Sequence, residues 1–485
     1  MERAVIAAHR FGLGPRPEEG LPDNPQAWLL SQLERYEPRP AALSAARYSR
    51  DAAQITAERI RLRREARAAA KERKAAEAIA MEAGMGDSME PQTRSGEAME
   101  VENYIKLGRE EMVEAVGMRS AAALTSPTPF AERLVHFWSN HFTAAATKPP
   151  VITLVAPHEF DAIRPNIMGK FVDMLKAASL HPAMIAYLDQ YQSIGPNSPI
   201  AQRARRRSNQ QGRERGLNEN LAREILELHT LGVHGGYTQT DVTEFARALT
   251  GFGIEGFGRG AGVPVGKFGA TWLEGAHEPD DREIMGKVYR QNGPDLAYAI
   301  LEDVAAHPST AKHIATKLAR HFAGDEPPAS LVSKLESAFL SSGGDLPTIY
   351  KALVEAPEAW TPEPVKFRQP WEWTIAALRA AGIDEVPGRR MANDLDQLGQ
   401  APWRASSPAG YDDLADSWLG PDALVRRTEI AQRLARLVPE KDARAVGEKL
   451  FGNSLSDMTK TALARAATPQ QAMVLLLVSP EMLRR

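Results

Sequence analysis

The sequence predicts a mainly α-helical protein: a large multi-helix body with a long charged helical arm and a small β-hairpin insertion. Three observations point there. Apolar residues recur at helical spacing over most of the 485 residues, interrupted by Pro and Gly. Residues 51–85 are rich in Ala, Arg, Glu and Lys, the strongest helix formers, with few large apolar side chains. Residues 251–278 switch to a glycine-rich composition with short strand-like pieces.

In chain order, residues 1–50 read as an N-terminal helical segment. Residues 51–99 form the charged arm, which has little apolar surface to bury and so stays solvated as an arm or lid; the Gly-, Ser- and Thr-bearing piece at 84–96 breaks it, and helix resumes near Glu100. Residues 100–252 make a central helical core. Within it, TSPTPF offers Ser or Thr as cap and Pro for a first turn. Further helices are expected over 157–163, 168–179 and 182–189, and His181 and His307, each followed by Pro, mark helix starts. The stretch 195–216 is strongly basic and has no apolar stripe, so it reads as a solvated loop or as a patch that steers an anionic ligand through Arg203, Arg205, Arg206 and Arg207. Helices over 217–231 and 241–252 flank GVHGGYTQT, with Gly235 and Gly236 at the turn and Thr240 available as a cap. Residues 253–294 hold the insertion, where ATWLEGAH and EIMGKVY suggest a short antiparallel hairpin. The C-terminal region, 295–485, alternates helices with aromatic, Pro-rich connectors such as QPWEWT and APWRASSPAGY.

Composition removes several function classes. There is no cysteine, so disulfides, thiolate metal sites and cysteine nucleophiles are excluded. A formal net charge of -3 gives no global attraction to nucleic acid, and no nucleic-acid partner is expected. No segment approaches the roughly 20 apolar residues of a membrane span, and the first residues lack a signal-peptide pattern, so a cytoplasmic location is expected. The glycine-spaced GFGRGAG follows no parallel strand, and neither a Walker lysine loop nor a Gly-x-Ser-x-Gly elbow occurs.

Chemistry is expected around one histidine. Wound at 100° per residue, Phe130, Leu134, Phe137 and His141 share a narrow sector, so His141 points inward and is held neutral. In LNENLAREILELHTLGV, Glu224 and Glu227 lie on one face with Asn220, and His229 sits at the edge of the apolar stripe. Two carboxylates at this spacing can bracket a cation or acquire unequal pKa values; alternatively Arg223 neutralises them on a solvated face. His141, Glu227, His229 and His277 would ligate a divalent metal such as Zn, Mn or Fe, or Glu224 and Glu227 would do acid–base work beside His141 and His229. Asn140 and Asn220 would orient the site, and the arginine stretch would recruit an anionic, carbohydrate-related substrate. His313 and His321, on a helix with Lys317 and Arg320, read as a solvated face. The rival reading is a non-catalytic binding or scaffold protein that docks through the arm and exposed aromatic connectors.

Several strings together resemble the bacterial family called domain of unknown function 1800: RFGLG at 10–14, FWSNHF at 137–142, the strings at 181–198 and 218–252, HPSTAKHIATKLARHF at 307–322, and GYDDLADSWL at 410–419. The resemblance implies a mainly helical fold and no established activity. It also implies frequent export and a protein resembling sulfatases and alkaline phosphatases as partner.

Overall fold

The computed structural model describes residues 1–82, 94–207, 216–257 and 262–485. Helices run from Arg3 to Leu483, and the described residues include only five strands, each of three residues. Periodicity therefore reads the class correctly: the protein is mainly α. Both His-Pro signals work as capping devices. His181 accepts from the Ala183 N–H at 3.0 Å, and His307 accepts from the Ser309 N–H at 3.1 Å, each with Pro in the first turn. At the helix Gln239–Leu249 the cap is Thr238, not Thr240, because Asp241 three residues on completes a capping box with it.

The arm is a helix, Ser49–Glu82, followed after the undescribed stretch by Arg94–Thr125. The glycine break expected at 84–96 falls mostly outside the described residues. Its first turns are buried through Ala52, Ala53 and Thr56; beyond Arg61 the described side chains are almost all exposed, and Arg61 pairs with Glu58 and Glu65 along the surface. The base is tied down by Ser49, whose amide and hydroxyl both donate to Asp161 at 2.7 Å.

The insertion holds two sheets rather than one hairpin. Ala270–Trp272 is the centre of a three-stranded antiparallel sheet between Phe252–Ile254 and Val263–Val265, whereas Arg282–Ile284 pairs with Lys287–Tyr289. The second pair is a tight hairpin because Met285 and Gly286 both take positive φ, 50° and 77°, which matches the twist of the strands. ATW and EIMGKVY thus belong to separate sheets. Residues 258–261 of the glycine-spaced string lie outside the described residues. The basic stretch also differs from expectation: Pro199–Arg207 is helical, with Arg203, Arg205 and Arg206 exposed, while the Arg207 side chain and residues 208–215 lie outside the described residues.

Apolar side chains collect into two main cores. One joins the helix Pro129–His141 to the central helices, and the other joins Pro370–Ala380 to Val116, Leu124 and the C-terminal helices. Trp403 packs against both. Between these cores runs a polar seam, and it contains the site.

Candidate functional site

The helix Pro129–His141 follows from its sequence: Pro129 starts the first turn, and the apolar stripe turns Phe130, Leu134, Trp138 and His141 into the core. His141 is 1% exposed. Its Nε2 lies 3.1 Å from the main-chain oxygen of His229, so the two helices do meet. The rest of the ring's company is aromatic: Phe137, Trp138, Phe142, Phe171, His229 and His313. Nδ1 has no partner among the described residues. Burial first, then the nearby Lys317, His229 and His313, pull the His141 pKa well below the usual histidine value.

The carboxylates assigned to this histidine from the sequence are elsewhere. Glu224 and Glu227 are half-buried, and Tyr237 donates to Glu227 at 3.4 Å. Burial, with Glu227 next, raises the Glu224 pKa. Arg223 pairs with Glu219 at 3.1 Å rather than with either of them. The physical reason is local: from Ile225 to His229 the chain forms a π-helical turn, and the Thr230 hydroxyl donates to the Ile225 oxygen at 2.7 Å. That wider turn shifts the face away from a 100° wheel and takes His229 fully inside. Both ring nitrogens of His229 are buried without partners among the described residues, and burial, with Lys317 next, pushes its pKa down to about 3. Asn220 is exposed. His277 is engaged by the sheet, its Nδ1 2.8 Å from the Thr250 oxygen and its ring 4.7 Å from that of Trp272. Among the described residues no group of three or more His, Asp or Glu is disposed to hold a metal ion, so the expected metal ligands do not fit one.

What the structure does bring together is a cleft of about 90 Å³ at the seam. One wall is Phe137, Asn140 and His141; a second is Lys317 and His321 from the helix Pro308–Ala323; Trp371, Glu372, Trp403, Tyr411 and Asp413 come from the C-terminal region. The His313–His321 helix is therefore not a solvated face, since Lys317 and His321 both line the cleft and His321 is 6% exposed. Of the aromatic connectors, QPWEWT has Trp371 and Trp373 buried, and in APWRASSPAGY Trp403 is half-buried.

Asn140 positions the far wall by a reciprocal pair with Tyr411, donating to its oxygen and accepting from its N–H, both at 2.8 Å. Gly410 makes that approach possible. A Cβ there would stand 2.5 Å from the Asn140 oxygen, and φ is +82°.

The charged groups divide into satisfied pairs and one exception. Arg119 donates through Nε to Glu159 at 2.8 Å, with its guanidinium 4.1 Å from the Trp371 ring and 5.3 Å from Trp403. Burial alone would raise Glu159, yet Arg119 and the Ser139 hydroxyl hold its pKa below the usual carboxylate range. Glu372 accepts from Arg133 and Arg485, which overcome burial and keep it well below that range. His321 Nδ1 is 3.2 Å from Asp413, which also accepts from Gln369 at 2.9 Å; Nδ1 must then carry the proton, leaving Nε2 basic, 3.6 Å from Glu372. Lys317 is the exception: its ammonium makes no hydrogen bond or ion pair among the described residues. Burial, opposed by Asp413, brings its pKa down to about 8.

A family model described as "Protein of unknown function (DUF1800)" matches residues 6–484. The chain belongs to the DUF1800 family. No curated protein and no solved structure matches it. Three of the DUF1800-like strings supply the cleft: FWSNHF gives Asn140 and His141, KHIATKLARHF gives Lys317 and His321, and GYDDLADSWL gives Tyr411 and Asp413. That convergence was the available signal for Lys317, His321 and Asp413, which periodicity missed; Glu372 lies in none of these strings.

Proposed function

We propose that the cleft is a general acid–base site for a small anionic substrate of the phosphorylated, sulfated or carboxylated sugar class, with hydrolase-like proton transfer. The single observation that carries this reading is Lys317, an amine without a partner among the described residues, beside His321 on one cleft wall, with neutral His141 on another wall and Asp413 paired to His321. A lysine whose pKa is about 8 is divided between amine and ammonium near neutral pH, with about a tenth as amine at pH 7, and can both take and return a proton. Arg119 suits the anionic end of a substrate: Glu159 and the two indoles fix it in place while its terminal nitrogens remain available to the cleft. His321 would accept a second proton at Nε2, and the resulting cation would lie between Asp413 and Glu372.

The docking alternative, with a sulfatase- or phosphatase-like partner, keeps the exposed arm but loses Trp371 and Trp373, which are buried inside the fold. The test is a panel of sugar phosphates, sulfates and uronates, read first by thermal shift and then by turnover. We expect a binder whose effect disappears in Lys317→Met and Arg119→Met, and a kcat/KM that rises with pH to a plateau above about 8 in wild type only. Binding that is indifferent to both substitutions, or a panel with no binder, overturns the reading.

A further inference from the structure

Behind the cleft, on the far side of Glu372, the seam becomes strongly cationic. Arg133, Arg368, Arg427 and Arg485 are each no more than 1% exposed, and the carboxylate they share is Glu372. Neighbouring acids are already committed. Lys366 takes Asp325 at 2.7 Å, and Asp413 is held by Lys366, His321 and Gln369. Arg485 is satisfied by two bonds to Glu372, at 2.8 and 3.0 Å. Arg368 and Arg427 are not. Arg368 donates through one terminal nitrogen to His9 Nδ1 at 2.8 Å, and Arg427 donates through one to the Arg368 oxygen at 2.8 Å. His9 brings no charge, since its other nitrogen lies 3.0 Å from the Leu450 oxygen and burial holds the ring neutral.

Among the described residues five guanidinium nitrogens of this cluster are thereby left buried without a partner: Nε and Nη1 of both Arg368 and Arg427, and Nη2 of Arg133. The aromatic faces of Phe367 and Trp373, 4.4 and 5.5 Å from Arg427, offset part of its charge but accept no hydrogen bond of ordinary strength. Burial lowers both arginines to about 9, with Arg133 adding to the shift at Arg368 and Glu372 opposing it at both, which still leaves them cationic at neutral pH. Buried donors are nearly always paired, and buried charge without a counter-charge is strongly destabilising.

We propose that the Arg368–Arg427 cluster, completed by Arg133, is an internal site for a small inorganic anion of the chloride class. The ion accepts the orphaned N–H groups and supplies the missing negative charge between the two apolar cores. It is a structural ion and independent of any reaction in the cleft.

The experiment is thermal denaturation of the full chain in sodium chloride against sodium gluconate at equal ionic strength. Saturable chloride stabilisation is expected in wild type, on the order of 2 °C once chloride reaches about tenfold its dissociation constant. Lys317→Met retains that response, and Arg427→Met loses it. Because Arg427→Met can fail to fold, a wild-type crystal grown in bromide gives a second readout, with an anomalous peak beside Arg368 and Arg427 expected. Equal melting in the two salts, a chloride response lost in Lys317→Met, or a bromide crystal without that peak each overturns the proposal.

Discussion

On residues 220–229, Glu224 and Glu227 stand half-buried, with Tyr237 beside Glu227 and water beyond. On Pro308–Ala323, His313, Lys317 and His321 stand four residues apart and look into protein. Each face places ionisable residues beside an apolar stripe, and a helical wheel treats them alike. Only what packs opposite tells them apart: solvent in the first case, the second apolar core with Trp371 and Glu372 in the other. The surroundings also set the pKa values, since burial lowers Lys317 to about 8 and His313 to about 4.

The largest expected break in this contrast is Glu372→Ala. It strands Arg133 and Arg485 without their carboxylate in a dry seam, so unfolding by denaturant should show a loss of about 3–5 kcal/mol. A loss below about 1 kcal/mol would mean that the seam is as forgiving as a surface.

The helical class and the inward turn of His141 were legible because both rest on period, and period is a local property. The residues that share the cleft with His141 were not. Glu372 lies 231 positions from it in sequence and Asp413 lies 272 away, and no spacing rule connects residues brought together by the packing of two cores. The π turn at Ile225–His229 was equally invisible, because a wheel drawn at α-helical pitch cannot show a change of pitch. Capping was legible where it depended on dipeptides, as at His181-Pro182, and misplaced by two residues where Thr238 and Thr240 both qualified.

Lys317→Met sharpens the comparison through pH. The folded pKa of Lys317, about 8, lies below the unfolded value near 10.5, so the unfolded chain holds more of that proton between these pH values. Wild-type stability should therefore gain from this group as pH rises from 8 to 10, by about 2 kcal/mol, and the variant should lack the gain. Matching stability profiles for the two proteins over that range would place the ammonium in bulk water.

His229 tests the acid side. Its folded pKa of about 3 is depressed from 6.5, so its contribution is constant above 6.5 and is lost as pH falls below that value. Between pH 7 and pH 5.5, His229→Leu should lose about 1 kcal/mol less than wild type in urea titrations. Equal losses would show that the ring is protonated in the native state and has found a partner.

The smallest effect belongs to the face that the wheel favoured. Glu227 accepts one long hydrogen bond, 3.4 Å from Tyr237, and Arg223 is engaged by Glu219, so Glu227→Ala removes little. A change within about 0.5 kcal/mol is expected by denaturant titration. The paired substitution Glu224→Ala should be neutral or slightly stabilising, because burial and the charge of Glu227 both disfavour that carboxylate. Should Glu227→Ala instead cost as much as Glu372→Ala, the two faces would be equivalent, and the cleft would lose its claim to be the distinctive polar site of the molecule.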